Sequence, residues 1–426
     1  MRRKLLKIWN ASQPFLQTPR LWVAIVLRKF LWRTTFIAIT GSNGKTTATR
    51  YLAAILSSHA PTQWTRLNRN GQGGFTETIA FCIPRKTRFA VFEVGAGKPA
   101  AVRKATRLIK PQISVVLSVF LEHRSFFKTV EGVAREKAEL LANLPQNGVA
   151  VINADDPYVA RMHVPSGRKL IRFGASADCD VYYQNATSAW PQMLRFTAVV
   201  NGQHQEIRSR LLGMHWVGTI LACIAVAHHL GVPLAQIARV IEGVSPYPAR
   251  MQVVRLPSGA VVLRDEFKGS LHTITAAFEE LRKASAERKF LVFCDVAESS
   301  RSPRIRLGRI GRRAAELFDY AIFIGDKSHH GVRGAREGGL SEKNAVAFSN
   351  YSEAAEFLKP ILGPGDVVLL KAGKNNQLPR LFYSMLGKVR CTIPVCNKHM
   401  VCDDCPEFRN PELVQLANEQ LTAGAD

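Results

Sequence analysis

At 426 residues and 47.2 kDa, the chain has room for roughly two to four domains. Its 46% hydrophobic and 21% charged residues are those of a globular protein, and they exclude a disordered, collagen-like or disulfide-scaffold chain. Lys and Arg total 58 against 33 Asp and Glu, a formal charge of +25, which suits either a generally basic surface or an anionic partner such as a lipid, a nucleic acid or a phosphorylated substrate.

The charge is uneven. Twelve Lys and Arg, and no acid, precede Glu77. Residues 1–35 alternate basic and apolar clusters, with Trp9, Trp22 and Trp32 among eight Lys and Arg, the composition of a helix lying at a membrane surface. The alternative is a helix packed on the next domain with its basic residues in solvent. No apolar run reaches the ~18–20 residues of a membrane span, and the longest, 21–27, is cut by Arg28 and Lys29. A basic start with no small-residue cleavage site after a continuous apolar region predicts a cytoplasmic protein, peripheral at the inner membrane face if the first 35 residues bind lipid. Cys82, Cys179, Cys223 and Cys294 are scattered and read as small core residues in a reducing compartment.

From residue 35 the pattern changes. Thr35-Phe36-Ile37-Ala38-Ile39-Thr40 is a β-rich run, Gly41-Ser42-Asn43-Gly44-Lys45-Thr46-Thr47 follows, and residues 48–57 have helical character. Further buried-type strands are predicted at 89–94, 113–118 and 148–153, with helical segments between them. Strands alternating with helices predict an α/β fold with a mostly parallel sheet. Residues 165–210 are more polar, with a β-like piece at 194–200, and 211–230 predicts an apolar helix. The stretch 242–248, rich in Gly and Pro, marks a boundary. A second α/β domain, Rossmann-like, has strands predicted at 261–264, 290–294, 320–324 and 367–371. The divisions are a basic apolar segment at 1–35, a central domain at 36–245, a C-terminal domain at 246–390 and a Cys-rich tail at 391–426.

The residues 41–47 carry the clearest chemistry. Glycines let backbone N–H groups turn toward phosphate oxygens, the helix that follows presents its positive end, Lys45 adds a point charge, and the Thr46 hydroxyl suits Mg²⁺. The general pattern has a further glycine where this chain has Ile39, so the loop is a shorter variant. Glu93 ends a buried strand beside that loop and is placed to bind a metal, or is simply a solvent-facing strand end. His123 follows another strand. Lys137, taken alone, reads as an exposed helical lysine.

Taken together these motifs resemble the Mur ligase family. Residues 37–47 resemble its nucleotide loop, Val91-Phe92-Glu93-Val94-Gly95-Ala96-Gly97 its metal-binding glutamate strand, and Glu122-His123 with 131–137 its histidine and its helix bearing a carbamylated lysine. Ala150-Val151-Ile152-Asn153-Ala154-Asp155-Asp156-Pro157 is close to the family wording. In the second half, Arg250-Met251, Asp265-Glu266-Phe267-Lys268, 291–298 and 365–373 take the places of its junction arginine, Asp-Ser-Tyr-Asn, Gly-Asp-Met-x-Glu and Lys-Gly-Ser patterns. The nearest branch is the one that adds D-alanyl-D-alanine to the cell-wall precursor.

The resemblance implies an ATP-dependent carboxylate–amine ligase working through an acyl phosphate, in cell-wall or envelope-polymer synthesis. Lys45 would bind the β- and γ-phosphates, and Thr46 with Glu93 one Mg²⁺. His123 and a carbamylated Lys137 would hold or orient a second. Asn153 and Asp265 would contact the nucleoside, with Lys371 in the same group. Arg250 would reach the phosphates from the hinge. The chain departs from the pattern in three places. Only about 35 residues precede the first strand, too few for the family's UDP-binding domain. Trp216 follows His215 where the family has His-Asn, and Leu271 and His272 replace a proline and an acidic residue. These departures point to a protein partner that supplies substrate recognition. Competing readings are a P-loop ATPase or kinase without ligation, and a basic nucleic-acid-binding protein, although no nucleic-acid motif occurs.

The tail reads Cys391-x₄-Cys396-x₅-Cys402-x₂-Cys405, with His399 inside. Four cysteines with one Cys-x-x-Cys suit a tetrahedral Zn²⁺ site. The other readings are a reduced tail or disulfides.

Overall fold

The computed structural model describes residues 17–66, 68–296, 299, 301–373, 378–391, 396, 402–405, 407–408 and 410–422. Trp9 and the rest of residues 1–16, Glu298 of the 291–298 motif, and His399 lie outside them. The chain forms two compact units. The first takes in the described residues up to Asn185, with Phe196–Ile207 and Val217–Val244; the second takes in Ala186–Arg195, Arg208–Trp216 and the described residues from Ser245 onward. Both are α/β, as the strand–helix alternation predicts.

In the first unit, helix α1 (Gln17–Phe30) leads into strand β1 (Thr35–Thr40), and α2 (Lys45–Ser57) follows the glycine loop. Then come β2 (Thr62–Trp64), α3 (Gln72–Ala80), β3 (Phe89–Glu93), α4 (Ala101–Ile109), β4 (Ile113–Val116), α5 (Val130–Ala142), β5 (Val149–Asn153) and β6 (Lys169–Gly174). Strands β7 (Val181–Ala189), β8 (Gln192–Val200) and β9 (Gln203–Arg208) extend the sheet before α6 (Val217–His229) and α7 (Leu234–Gly243). The order is β2-β3-β1-β4-β5-β6-β7-β8-β9, and the pairings from β2 to β7 are parallel. Such strands are covered on both faces, which is why β1, β3 and β4 read as continuous apolar runs rather than alternating ones. Phe36 of β1 stacks on Phe92 of β3, ring centroids 5.4 Å apart.

Two boundaries differ from expectation. The helix predicted from residue 48 begins at Lys45, because Gly44 takes the left-handed conformation (φ 81°) and lets the helix start directly on the loop. The helix predicted over 211–230 begins at Val217; a single 3₁₀ turn, Met214–Trp216, precedes it after Gly213 at φ 121°. The first helix is also more than a surface appendage. Ala24 and Leu31 are buried in the cluster that holds Phe36, Phe75 and Phe92. Arg28 donates from Nε to the Ile109 carbonyl (2.9 Å), and its guanidinium lies 3.7 Å above the Phe36 ring.

The second unit is built on β10 (Gln252–Arg255), β11 (Val261–Asp265), β12 (Arg288–Phe293), β13 (Tyr320–Ile324), β14 (Ala345–Phe348) and β15 (Asp366–Lys371), in the order β10-β11-β15-β12-β13-β14. Only the β10–β11 pair is antiparallel. Helices α8 (Leu271–Lys283), α9 (Pro303–Ala315), α10 (His329–Glu337), α11 (Tyr351–Leu358) and α12 (Pro379–Leu386) accompany it, and α13 (Pro411–Thr422) closes the described chain. Two apolar clusters pack on the sheet, one under Phe278, Phe293 and Phe318, the other under Phe290, Leu370 and Tyr383.

The tail joins this unit through a buried cation. Arg264 of β11 is fully buried. Its guanidinium donates to both carboxylate oxygens of Asp403 (2.7 and 3.0 Å), to Glu266 Oε1 (2.9 Å) and to Gln252 Oε1 (3.2 Å), and it lies 4.4 Å from the Phe382 ring centre. Burial alone would raise the Asp403 carboxyl, but the Arg264 charge and hydrogen bonds outweigh it and hold the group below its ordinary value.

Removing one partner of a buried pair strands the other charge. Asp403→Asn is expected to destabilise the protein by about 3 kcal/mol at neutral pH, measured by denaturant unfolding. Lys359→Ala, at an exposed pair with Glu356, is expected to change stability by less than ~0.5 kcal/mol. The Asp403 contribution is complete above the ordinary aspartate pKa and is lost as pH falls through the lower folded value. The stability gap between the two proteins is therefore expected to begin closing below about pH 4 and to close fully only below the lower folded value.

Candidate active site

Strand β1 leads toward β3 on one side and β4 on the other, so its C-terminal end opens on the point where the strand order reverses. That is where open α/β sheets bind ligands. The loop Gly41–Thr47 occupies this point and is tied down on the β4 side. Ser42 N donates to Ser118 O (2.8 Å), Asn43 N to Ser118 Oγ (3.1 Å), and the Ser42 hydroxyl accepts from Phe120 N (2.8 Å). Gly44 cannot be replaced cheaply. At φ 81° a side chain is strained, and an added Cβ would sit 2.6 Å from Thr219 Oγ1 of α6. Lys45 bends back over the loop, donating from Nζ to the carbonyls of Gly41 and, at 3.4 Å, of Ser42. Thr47 is buried beneath it.

On the β3 side, Glu93 pairs in register with Ile39, which brings its carboxylate to the level of the loop. It is buried and accepts from Asn70 Nδ2 (3.0 Å), while its backbone N donates to Thr65 Oγ1 (2.7 Å). The Thr46 hydroxyl donates to Asn68 Oδ1. Asn68 and Asn70 thus line the wall that Thr46 and Glu93 share, and the sequence reading passed over both. The signal was present in Asn68-Arg69-Asn70-Gly71, a polar turn directly after a short strand.

A second group lies a few residues past the Phe120 tie. Lys137 of α5 is fully buried, and its Nζ donates to Glu122 Oε1 (2.9 Å). His123 Nε2 is 4.0 Å from Glu122 Oε2, and the His123 backbone has φ 51°. Reading Lys137 as an exposed helical lysine is therefore wrong. Its neighbour Glu136 caps α4, accepting from Ala100 N and Val102 N (both 2.8 Å), and so locks the turn of α5 that carries Lys137. Asn153, at the end of β5, donates to Leu117 O (2.8 Å) and accepts from Asp155 N (3.0 Å), so its amide links the ends of β4 and β5.

Arg250, Asp265 and Lys371 belong to the second unit and are grouped there. Asp265 and Lys371 face each other in register at the ends of β11 and β15. The fully buried Lys371 amine donates to the Asp265 carboxylate and to Lys268 O (2.7 Å). Burial pushes the Asp265 carboxyl up and the Lys371 amine down, and their contact opposes both shifts. Asp265 Oδ1 also accepts from Met251 N (3.3 Å), and the Arg250 guanidinium lies 4.3 Å over the Phe267 ring. His215 tilts against Trp216, ring centroids 4.6 Å apart.

The zinc expectation finds no support. Among the described residues, which include Cys391, Cys396, Cys402 and Cys405, no group of three or more His, Cys, Asp or Glu side chains is placed to hold a metal ion. Three of these cysteines, Cys391, Cys402 and Cys405, pack against the apolar cluster around Tyr383. The same statement covers Glu93, His123 and Lys137. A nucleotide-bound Mg²⁺ needs only one or two protein oxygens beside phosphate and water, and Thr46 with Glu93 fits that demand.

A phosphate loop at the reversal point of a parallel sheet, with a lysine over it and a carboxylate opposite, defines a P-loop enzyme that handles nucleoside phosphates. Two family models match the chain: Mur ligase middle domain over residues 39–227, and Mur ligase, glutamate ligase domain over 249–373. The chain belongs to the Mur ligase family, and it is an ATP-dependent carboxylate–amine ligase. Its relatives include the UDP-N-acetylmuramoyl-tripeptide--D-alanyl-D-alanine ligase of Mycobacterium tuberculosis, 28% identical over 377 residues, 84% of this chain and 74% of the relative. The Escherichia coli enzyme of the same name is 27% identical over 297 residues, 69% of this chain and 65% of its own. Among solved structures, MurF from Acinetobacter baumannii superposes with a TM-score of 0.80 at 23% identity, covering 87% of this chain and 81% of that one. MurF ligase from Thermotoga maritima in complex with ADP gives 0.72 at 22% identity, covering 88% and 84%. These two likenesses are of fold.

Gly44→Ala is expected to displace the loop. A left-handed alanine costs roughly 1–2 kcal/mol before the Thr219 clash is relieved, so ADP binding by calorimetry should weaken by about tenfold or more.

Proposed function

We propose that this ligase activates a carboxylate of a cell-envelope precursor as an acyl phosphate and joins it to the amine of a short peptide. The observation that carries this reading is the Gly41–Thr47 loop tied to Ser118 and Phe120 at the sheet's reversal point, with Glu93 in register beside Ile39. A carboxylate oxygen attacks the γ-phosphorus of ATP, and ADP leaves. The amine nitrogen then attacks the acyl carbon and loses a proton, and phosphate departs as the amide forms. Little of this is covalent work for the protein, whose part is positioning and charge neutralisation.

Lys45 Nζ faces the β- and γ-phosphates in this reading, exchanging its carbonyl partners for phosphate oxygens. Thr46 Oγ1 and Glu93 would be the protein ligands of one Mg²⁺, with Asn68 and Asn70 orienting them. When bound, Mg²⁺ would supply charge neutralisation for phosphoryl transfer. Lys137 would give up its ammonium proton to solvent, add CO₂ through the neutral Nζ and release a second proton to leave a carbamate; its contact with Glu122 would then change from an ion pair into two anions beside His123, a set suited to a second divalent cation. Asn153, Asp265 and Lys371 bind the nucleoside side, and Arg250 the phosphates. The relatives' names point to a muramoyl peptide as the acid and D-alanyl-D-alanine as the amine. Trp216 and His272 depart from the family pattern, and we assign recognition of the acid in part to a protein partner. The reaction is placed at the inner face of the membrane.

The test is phosphate release from ATP with acid and amine added separately and together. Release that requires both is expected, and Lys45→Ala should abolish it while the circular dichroism spectrum stays unchanged. Release indifferent to either substrate would leave an ATPase. Lys137→Ala should lose at least about a hundredfold in kcat, as for a lost metal-orienting group, yet still bind ADP, and short-chain carboxylates should restore part of the rate.

A further inference from the structure

The first helix has two apolar faces. Its inner face, with Ala24, Leu27 and Leu31 just beyond, belongs to the core cluster of the first unit. Its outer face carries Trp22 (64% exposed), Val23 (49%), Val26 (50%) and Phe30 (59%), which fall within about 100° of one another on a 3.6-residue helix. Ile25 and Trp32 are exposed alongside. A helix that only packs on a domain is polar outside. Here the outward side is more apolar than a solvent-facing surface has reason to be.

The patch continues onto a second element. The turn after α3 is held against the end of α1 by Thr34 Oγ1 donating to Thr87 O (2.7 Å), Thr35 N to Arg88 O (2.9 Å) and an Arg88 guanidinium N–H to Arg33 O (3.2 Å). This turn adds the exposed Ile83 with Arg85, Lys86 and Arg88. Lys29 and Arg33 stand exposed on the helix side. The charged side chains named on this rim, Lys29, Arg33, Arg85, Lys86 and Arg88, are all basic; no acid occurs before Glu77, which is buried and paired with Arg69.

We propose that the outer face of α1 and the 83–88 turn form a docking surface for an anionic lipid bilayer. This rests on the membrane-face placement given above and supplies the surface for it. Aromatic and branched side chains enter the headgroup boundary while the basic rim meets lipid phosphates, the two signals that durable peripheral binding needs. Protein partners fit less well, because a ring of lysines and arginines without acids offers no matched charge pattern to most surfaces. A nucleic acid would engage the rim but leave Trp22, Val26 and Phe30 in water. No helix among the described residues is long and apolar enough to cross the bilayer, so the contact is along the surface.

The experiment is co-sedimentation of the full-length protein, without ATP or substrates, with phosphatidylcholine vesicles and with vesicles also containing phosphatidylglycerol. Deleting the helix would strip Ala24 and Leu27 from the core cluster, so the test uses surface substitutions that leave residues 1–16 in place. One variant is Trp22→Ser with Val26→Ser and Phe30→Ser; the other is Lys29→Glu with Arg33→Glu and Lys86→Glu. The wild type is expected to bind only the anionic vesicles, with a blue shift of tryptophan fluorescence and loss of binding at high salt. Each variant should bind them at least about tenfold more weakly with an unchanged melting temperature and unchanged ADP affinity. Equal binding by wild type and variants, no binding by the wild type, or a wild-type dimer that the serine variant converts to monomer would each overturn the proposal. Since no turnover is measured, such a result leaves the ligase assignment standing, and a failed turnover assay leaves the vesicle result standing.

Discussion

Strand β1 lies between β3 and β4, and the chemistry of the first unit depends on that placement. Parallel pairing sets Ile39 against Glu93 and Thr40 against Val116, so the chain leaves β1 level with the ends of both neighbours. A slip of one residue would move the glycine loop about 3.3 Å along the sheet and turn Glu93 to the opposite face. The loop's ties reinforce the same register, because Ser42 and Asn43 reach Ser118 and Phe120 only from this height. Once the register holds, the lysine, the hydroxyl and the carboxylate converge without any flexible segment having to find its place.

Both units bury cations and pair them. The first sinks Lys137 against Glu122 and pairs Arg69 with Glu77, while Lys29 and Arg33 stand exposed. The second sinks Arg264 and Lys371 completely and gives each a carboxylate from its own or a neighbouring segment. Arg380, also buried, is served by the Tyr351 hydroxyl at 2.8 Å. Buried pairs of this kind contribute little net stability against an apolar core, but they penalise misplacement severely. Residues 264 to 266 form a strip of three ionisable side chains at the end of β11. The outer two share one guanidinium-centred network, and the middle one pairs with Lys371.

Most of the fold was legible because parallel strands covered on both faces are written as short β-branched runs, and runs such as those at 35–40, 89–94 and 320–324 have few other readings. The phosphate loop was legible for a related reason, since its function is carried by consecutive residues. The remainder of the site is assembled across long separations. Asn68 and Asn70 matter through what they touch, and their polar turn after a short strand marks the position without showing that it meets Thr46 and Glu93. Lys137 was ambiguous alone for the same reason: burial is decided by α5 packing on the sheet, while its local sequence, Glu-Lys-Ala-Glu, is that of a solvated helix. The start of α6 was misplaced because residues 211–216 are as apolar as the helix they precede, and only the left-handed Gly213 separates them. The spacing of the tail cysteines does not show that Asp403, between two of them, is drawn inward by Arg264.

That last attraction sets an order of events during synthesis. Arg264 and Asp403 are 139 residues apart in the chain, so the strand carrying the cation leaves the ribosome well before its counter-charge. Until then β11 must hold an arginine whose only carboxylate at hand is Glu266, two residues along. The sheet of the second unit therefore has reason to stay loosely closed while its last helices are being made, and to tighten when residues 402–405 arrive. The first unit carries its loop ties within residues 41–120.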